Sequence, residues 1–280
     1  MTGAVRRMPG MAACLAALLG ASCARPLMKL PSGTGLAAPD AADALREATS
    51  ACRTVSTITA EIAVTGSIDG RRLRARLLAG LASPASARLE AAAPFGQPLF
   101  ILVARGDDAT LLLPRERRVL ERERPEVVLE ALAAVPLDAA DLRVALTGCA
   151  VAPDPESARQ LGQDWRVLPD GSSDLYLHRD PHVAPWRLVA VLHRRSNSGA
   201  WRAEYRDFLN GLPLDGLPRT IRLKAVDSDR FDLHLTLSQI EINQPLGAEV
   251  FRLRIPGGAE SMTLEELKAS GPLASRSHGR

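Results

Sequence analysis

The sequence predicts a mainly β protein in which about eleven antiparallel strands form a curved sheet and a few short helices cover it. Alternation of apolar and polar residues over many short stretches after residue 56 indicates the strands. Loop signals such as Asp69-Gly70 and the Pro-Asp-Gly at 169–171 separate them at hairpin spacing. Two segments, 39–52 and 125–148, instead repeat their apolar positions at helical spacing, which predicts the helices.

The composition fits one large β domain with tails as well as it fits two domains, since the chain has 280 residues. Hydrophobic residues make up 46% and aromatic residues only 4%, so the core must be aliphatic. The formal charge is +3, and removal of a leader that carries Arg6 and Arg7 lowers it to +1. A nearly neutral chain has no electrostatic basis for binding nucleic acid.

Residues 1–22 have the anatomy of a bacterial export signal. Arg6 and Arg7 precede an apolar run over 8–19, and small residues follow it. The run is too short for a transmembrane helix, which needs about 20 apolar residues. We therefore predict that residues 1–22 are a signal peptide.

The stretch LLGASC resembles a lipoprotein signal and makes Cys23 the predicted lipidation site. Gly20 departs from that pattern, because it stands where Leu is usual. Ordinary secretory cleavage after Ser22 or Ala24 is the alternative. Cys14 lies inside the apolar run and is not a candidate.

The rest of the chain divides by composition into three parts. Residues 23–38 contain the predicted lipidated Cys and then Pro, Gly and Ser without periodicity, which predicts a flexible tether. Residues 39–258 carry the strand and helix signals and form the predicted domain. Residues 259–280 are a C-terminal extension that we expect to be partly disordered.

The first helix is predicted over 39–52, where Asp40 can cap its N-terminus. The two helical stretches of 125–148 are separated at Pro136, with a cap at Asp138 and a stop at Gly148. These helices are the candidate cover for an apolar sheet face.

Two cysteines, Cys52 and Cys149, remain in the predicted mature chain. An exported protein can form a disulfide between them. Each also lies among apolar residues and can simply be buried, so both interpretations stay open.

Sequence signatures of catalysis and metal binding are not found. The chain has no G-x-S-x-G, no H-E-x-x-H, no phosphate-binding glycine loop and no dinucleotide fingerprint. His178 and His182 flank Pro181, which excludes a regular helix across the pair, and no acidic or Cys partner stands at ligand spacing. We expect a non-catalytic protein without metal or cofactor.

The predicted inward-facing side chains are mostly Leu, Val, Ile and Ala. A curved sheet lined in this way can enclose a cavity suited to acyl chains. Alternatively, these side chains fill the space completely, as in most protein interiors.

The order of elements resembles the LolA/LolB-like lipoprotein carriers of Gram-negative envelopes. The similar segments are ITAEIAVTG, PASARLEAAAPFGQPLFILVARGDDATLLLPRERRVL, AAVPLDAADLRVALTG and LSQIEINQPLGAEVFRLRIPGG, which span most of 39–258. The resemblance implies an incomplete barrel of about eleven antiparallel strands with a helical lid. Cys23 makes the lipid-anchored, LolB-like branch the closer one.

The resemblance also implies functional residues. Phe95, between Pro94 and Gly96, stands where anchored members present an apolar residue, which predicts a membrane-interface loop. The candidates for the acyl cavity and lid are apolar residues of the strands and of the 125–148 segment: Leu111, Leu113, Leu129, Leu132, Leu142, Leu146, Trp165, Val189 and Val191.

The predicted function is that of a carrier anchored by lipid to the outer membrane and facing the periplasm. Its predicted partners are that membrane, the acyl chains of lipoproteins or a related lipid, and a periplasmic carrier protein. The alternative is a structural or assembly lipoprotein with a filled β core that acts through protein partners.

Overall fold

A computed structural model describes residues 26–93, 96–150, 155–181, 183–196, 199–211 and 214–270. All strands in this part of the chain join one sheet of 15 strands. In chain order they are β1 Leu36–Ala37, β2 Thr57–Ile68, β3 Arg71–Ala82, β4 Ser86–Ala92, β5 Ile101–Arg105, β6 Asp108–Leu113, β7 Arg118–Glu123, β8 Arg159–Leu161, β9 Trp165–Asp170, β10 Ser173–Asp180, β11 Val183–Ser196, β12 Gly199–Phe208, β13 Pro218–Ala225, β14 Phe231–Ile242 and β15 Glu260–Ser261.

The sheet runs in the order β1-β8-β9-β10-β11-β12-β13-β14-β2-β3-β4-β5-β6-β7-β15. All pairs are antiparallel except β15 with β7. The last long strand, β14, pairs with the first, β2, and so joins the two halves of the chain in the middle of the sheet. Within the described residues the two edge strands of the sheet, β1 and β15, do not pair with each other. The predicted incomplete antiparallel barrel is confirmed, with three strands of two or three residues added to the long ones.

Four α-helices accompany the sheet in the described ranges: α1 Ala41–Ala48, α2 Pro125–Ala133, α3 Ala139–Thr147 and α4 Leu264–Ser270. Ser50–Arg53 adds a 3₁₀ turn after α1. The two helices predicted over 125–148 are confirmed. Asp138 caps α3 by accepting the Asp141 N–H at 2.6 Å, and Gly148 ends it at φ 68°.

The predicted capping role of Asp40 is wrong, because its side chain makes no capping hydrogen bond to α1. Its carboxylate instead accepts two hydrogen bonds from the buried Arg166 guanidinium, at 2.7 and 2.8 Å. These hydrogen bonds hold the pKa of Asp40 below its usual value. The pair connects the start of α1 to β9.

The segment predicted as a flexible tether differs in the structure from residue 26 onward. The Met28 N–H donates to Glu204 Oε1 at 2.8 Å, and β1 pairs with β8. Met28 and Leu30 pack against a small apolar cluster on the outer face of the sheet. Apolar packing and strand pairing therefore hold residues that composition alone assigns to a linker.

The predicted C-terminal extension is folded as far as residue 270. β15 extends the β7 edge of the sheet, Met262 is buried, and α4 packs against α2 with Leu267 buried. Arg118 Nη2 lies 2.8 Å from Glu266 Oε2 and ties α4 to β7. Residues 271–280 lie outside the described ranges.

Two apolar cores lie on opposite faces of the sheet. The large core joins the concave face to α1, α2 and α3. The small core on the outer face contains Val167, Tyr176, Val189 and Ala190. No helix in the described part of the chain is long and apolar enough to cross a membrane.

Candidate functional site

An apolar cavity of about 80 Å³ lies between the concave face of the sheet and helices α2 and α3. Every residue that lines it is apolar: Val64, Leu73, Ala75, Leu77, Leu89, Phe100, Leu129, Leu132, Ala133, Val135, Leu137, Leu142, Leu223, Leu233 and Leu235. The strands supply its wall and the α2–α3 segment supplies its roof. Such a cavity offers dispersion contacts and the hydrophobic effect, and it offers no polar group to a ligand.

Strand register brings the wall residues together. Val64 of β2 stands opposite Leu235 of β14 on one side and Ala75 of β3 on the other. The next inward row places Gly66 between Leu233 and Leu73. Because side chains alternate between faces with period two, these rows project to the concave side. The backbone of β14 approaches β2 closely at this glycine, since a Cβ there would lie 2.0 Å from the Asp232 carbonyl oxygen.

The cavity volume is small for a lipid. An engineered cavity of about 150 Å³ holds one benzene molecule, whereas this cavity has about 80 Å³. The cavity as described is therefore too small for a long acyl chain. A chain can enter only if part of the roof moves.

Helix α3 is fixed to the sheet at several points. The hydroxyl of the fully buried Tyr205 donates to the Val144 carbonyl at 2.8 Å. Arg143 donates to the Val55 carbonyl at 3.2 Å. Cys149, two residues after α3, forms a disulfide with Cys52 after α1, which resolves the question that the sequence left open. A covalent bond and two hydrogen bonds thus hold α3 in place.

Helix α2 is held differently, by apolar packing and an ion pair. Glu130 lies 2.9 Å from Arg230 in the loop before β14. Val128, Leu129 and Leu132 are buried under it, and α4 packs against it. α2 ends at Ala134 with φ 57°, a left-handed conformation that is uncommon for residues other than glycine. The short segment from there to Asp138 connects α2 to the fixed α3.

The predicted cavity residues divide into three groups. Leu129, Leu132 and Leu142 line the cavity. Others are buried in the large core away from it: Leu111, Leu113, Leu146 and Val191. Trp165 and Val189 belong to the outer-face core instead.

A strand irregularity explains the position of Val189. Tyr176 pairs with Ala190, whereas the next residue, Leu177, pairs with Leu188, so the register shifts by one residue between them. Such a shift sends the following side chains to the other face. The strict alternation assumed from the sequence fails at this point. The sequence interpretation also missed most of the wall, although the alternation in FDLHLTL at 231–237 indicates Leu233 and Leu235.

Several predicted residues lie outside the described ranges, namely Cys23, Pro94, Phe95 and His182. Gly96 is described and is exposed, with φ 78°, in the loop between β4 and β5. The base of this loop is closed where the Ala91 N–H donates to the Phe100 carbonyl at 3.0 Å. The loop therefore begins beside two cavity residues, since Leu89 and Phe100 flank it.

His178 packs against Trp165, with ring centroids 4.4 Å apart. No group of three or more His, Cys, Asp or Glu residues that could hold a metal ion occurs among the described residues.

These features define a class of protein: an open antiparallel half-barrel whose concave apolar face is covered by helices. No protein-family model matches the chain, and no curated protein matches its sequence. Solved structures are similar to the chain in fold. A LolA superfamily protein from Nitrosomonas europaea is similar with a TM-score of 0.51 and 12% identity, over 75% of this chain and 96% of that one.

A DUF1329 family protein from Desulfovibrio piger is similar with a TM-score of 0.51 and 9% identity, also over 75% of this chain and 96% of that one. At such identities the similarity concerns the fold alone. The chain has the LolA/LolB-like fold, and the resemblance read from its sequence is confirmed at that level.

Proposed function

We propose that this protein is a non-catalytic carrier of the cell envelope that binds acyl chains of lipoproteins, or of a related lipid, between the concave face of the sheet and α2. The observation that carries the proposal is the wholly apolar lining of the cavity under a helical roof. Burial of acyl chains there is driven by about 0.8 kcal/mol per methylene. No covalent chemistry is needed for uptake or release.

Uptake requires outward movement of α2, because the closed cavity has only about 80 Å³. α3 is cross-linked to the rest of the domain, so the segment from Ala134 to Asp138 is the position where the two helices separate. Acyl methylenes then replace the contacts that Leu129 and Leu132 make with the sheet. The exchange of one apolar contact for another keeps the cost of opening low.

The carrier proposal is tested by a variant that fills the cavity. Ala75 lines the cavity, and Ala63 lies exposed on the neighbouring strand. Ala75→Leu therefore adds atoms inside the cavity, and Ala63→Leu adds the same atoms on the exposed surface. We expect Ala75→Leu to weaken binding of monopalmitoylglycerol by about tenfold or more, and Ala63→Leu to leave it unchanged. Calorimetric titration measures both. Equal affinities of the two variants would contradict the assignment of the cavity.

We further propose that Cys23 carries a lipid anchor in the outer membrane and that Phe95 contacts the bilayer. The domain is held at Met28, five residues after Cys23, and five extended residues reach about 18 Å. The anchored domain thus stays close to the membrane surface. A single Phe adds about 1.5 to 3 kcal/mol of burial, enough to orient a tethered domain.

Membrane fractionation with labelled palmitate tests both assignments. We expect Cys23→Ser to abolish label incorporation and to release the protein, and Phe95→Glu to keep the label and to lower delivery of cargo to the membrane. Label retained by Cys23→Ser excludes lipidation at this residue. Unchanged delivery by Phe95→Glu excludes a role for the loop.

A second candidate function, an assembly lipoprotein with a filled core, is favoured by the small volume of the cavity. In that case α2 stays closed and no lipid is taken up. Titration distinguishes the two, because a folded protein with a filled core binds neither monopalmitoylglycerol nor an anionic lipid of the same acyl chain.

A further inference from the structure

A second cleft, of about 500 Å³, lies at the end of the apolar cavity beside α2. It is bounded by α2, α4, the turn between β2 and β3, and the loop before β14. The Asp69 N–H in that turn donates to the Arg230 carbonyl at 2.8 Å, which brings the turn and the loop together. The charged side chains that line this basic cleft are Arg71, Arg72, Arg230, Lys268, Asp69 and Glu130.

The cleft has an excess of positive charge, since four of these side chains are basic and two are acidic. Glu130 pairs with Arg230. Arg71, Arg72 and Lys268 are exposed and form no ion pair within the described residues. Three cations from two separate elements therefore face one cleft and remain available to an anion.

The basic cleft adjoins the apolar cavity. Leu73 of β3 and Leu132 of α2 line both of them. These two buried side chains form the boundary between an apolar compartment and a cationic one. An amphiphile that places its acyl chain in the cavity has its polar end at this boundary.

We propose that the basic cleft binds the anionic, phosphate-bearing headgroup of a lipid whose acyl chain occupies the cavity. This inference rests on the proposed carrier function and adds the class of lipid to it. Guanidinium groups bind phosphate oxygens in pairs, so Arg71 and Arg230 are suited to such a headgroup. The shared residues Leu73 and Leu132 favour a lipid headgroup over free phosphate, because they place the cleft directly beside the apolar cavity.

Headgroup binding also has a consequence for the roof. Arg230 is the partner of Glu130 on α2, at 2.9 Å. A phosphate that binds Arg230 competes with the Glu130 carboxylate and weakens an ion pair that holds α2 against the sheet. Recognition of the headgroup is thereby coupled to the opening that admits the acyl chain.

The test compares two lipids with the same chain, palmitoyl lysophosphatidic acid and monopalmitoylglycerol, by calorimetric titration of the mature protein below their micellar concentrations. We expect the anionic lipid to bind about tenfold tighter or more at low salt, and its advantage to shrink as salt is raised. The double variant Arg71→Gln/Lys268→Gln should lose most of this advantage and keep its affinity for the neutral lipid. Arg74→Gln removes an exposed charge of the same strand outside the cleft and should change neither affinity.

Each other outcome has a defined meaning. Equal affinities for the two lipids, or an advantage that Arg71→Gln/Lys268→Gln leaves intact, overturn the headgroup site and leave the carrier function standing. The headgroup site is also overturned if inorganic phosphate alone binds as tightly as the anionic lipid, since the acyl chain of the lipid then adds nothing to the affinity. No binding of either lipid by the folded protein overturns the carrier function and this inference with it.

Discussion

At the scale of single residues, Gly66 occupies a position where only glycine fits. Its φ is 142°, and a Cβ placed on it would lie 2.0 Å from the Asp232 carbonyl oxygen of β14. β2 and β14 are the strands that join the two halves of the chain, so their close approach at this residue affects the centre of the sheet.

Replacement of Gly66 by Ala is therefore expected to lower the free energy of unfolding by about 2 to 4 kcal/mol. Gly257→Ala is the control, because a Cβ there meets nothing within 4 Å and its φ is not left-handed. Denaturant unfolding of both variants measures the difference. A Gly66→Ala protein as stable as the Gly257→Ala protein would show that the two strands separate more than described.

Asp141, in the first turn of α3, makes stability depend on pH. Burial, and then the nearby Asp138 carboxylate, raise its pKa from 3.8 to about 6. The folded state thus binds more protons than the unfolded state between these values, so stability falls as pH rises from about 4 to about 6.

Asp141→Asn removes this penalty, and we expect the variant to be about 1 to 3 kcal/mol more stable than the wild type at pH 7. Below pH 4 the difference should disappear, because the carboxyl group is then neutral in both states. Asp43→Asn, at an exposed position in the first turn of α1, serves as the control. A stability difference that is constant across this range would contradict the raised pKa.

At the scale of elements, the contrast between the fixed α3 and the less constrained α2 leads us to expect that α2 is the part of the roof that moves. Glu130→Gln removes the ion pair with Arg230, whereas Glu126→Gln, on the same helix, removes an ion pair with the exposed Arg124 two residues before it. We expect Glu130→Gln to raise hydrogen exchange in α2 severalfold with little change in α3.

Glu126→Gln should leave the exchange of both helices near that of the wild type. If Glu130→Gln raised exchange in α3 as much as in α2, the two helices would move as one unit. The roof would then open at the disulfide end and not between Ala134 and Asp138.

At the scale of the whole molecule, local patterns in the sequence were sufficient for the antiparallel strands and the two helices of 125–148, whereas the open barrel followed from the resemblance to a known family. Pairing between segments that are far apart in sequence could not be predicted from these local patterns. The contact between β2 and β14 joins residues that are far apart in sequence, for example Val64 and Leu235, and no local signal specifies it. The ion pair of Asp40 with Arg166 has the same origin, which is why Asp40 was assigned to capping.

The sequence predicted that the cavity is apolar, but it predicted only some of the residues that line it. An aliphatic composition with few aromatics indicates an apolar interior, and Leu129, Leu132 and Leu142 follow from helical spacing. The register shift at Tyr176 and Leu177, which places Val189 on the outer face, depends on pairing between strands and leaves no trace in alternation alone. Likewise, residues 26–38 contain Pro, Gly and Ser without periodicity, yet Glu204 and the outer-face core hold part of this segment.

The central claim is that the apolar cavity under α2 holds acyl chains. Native mass spectrometry of the Cys23→Ser protein, isolated gently from the envelope, tests it most directly, since no anchor lipid contributes to the mass. The account predicts adducts with masses of acyl lipids, which Ala75→Leu loses and Ala63→Leu keeps. A folded protein with no lipid adduct, alone or after incubation with monopalmitoylglycerol and palmitoyl lysophosphatidic acid, would contradict it.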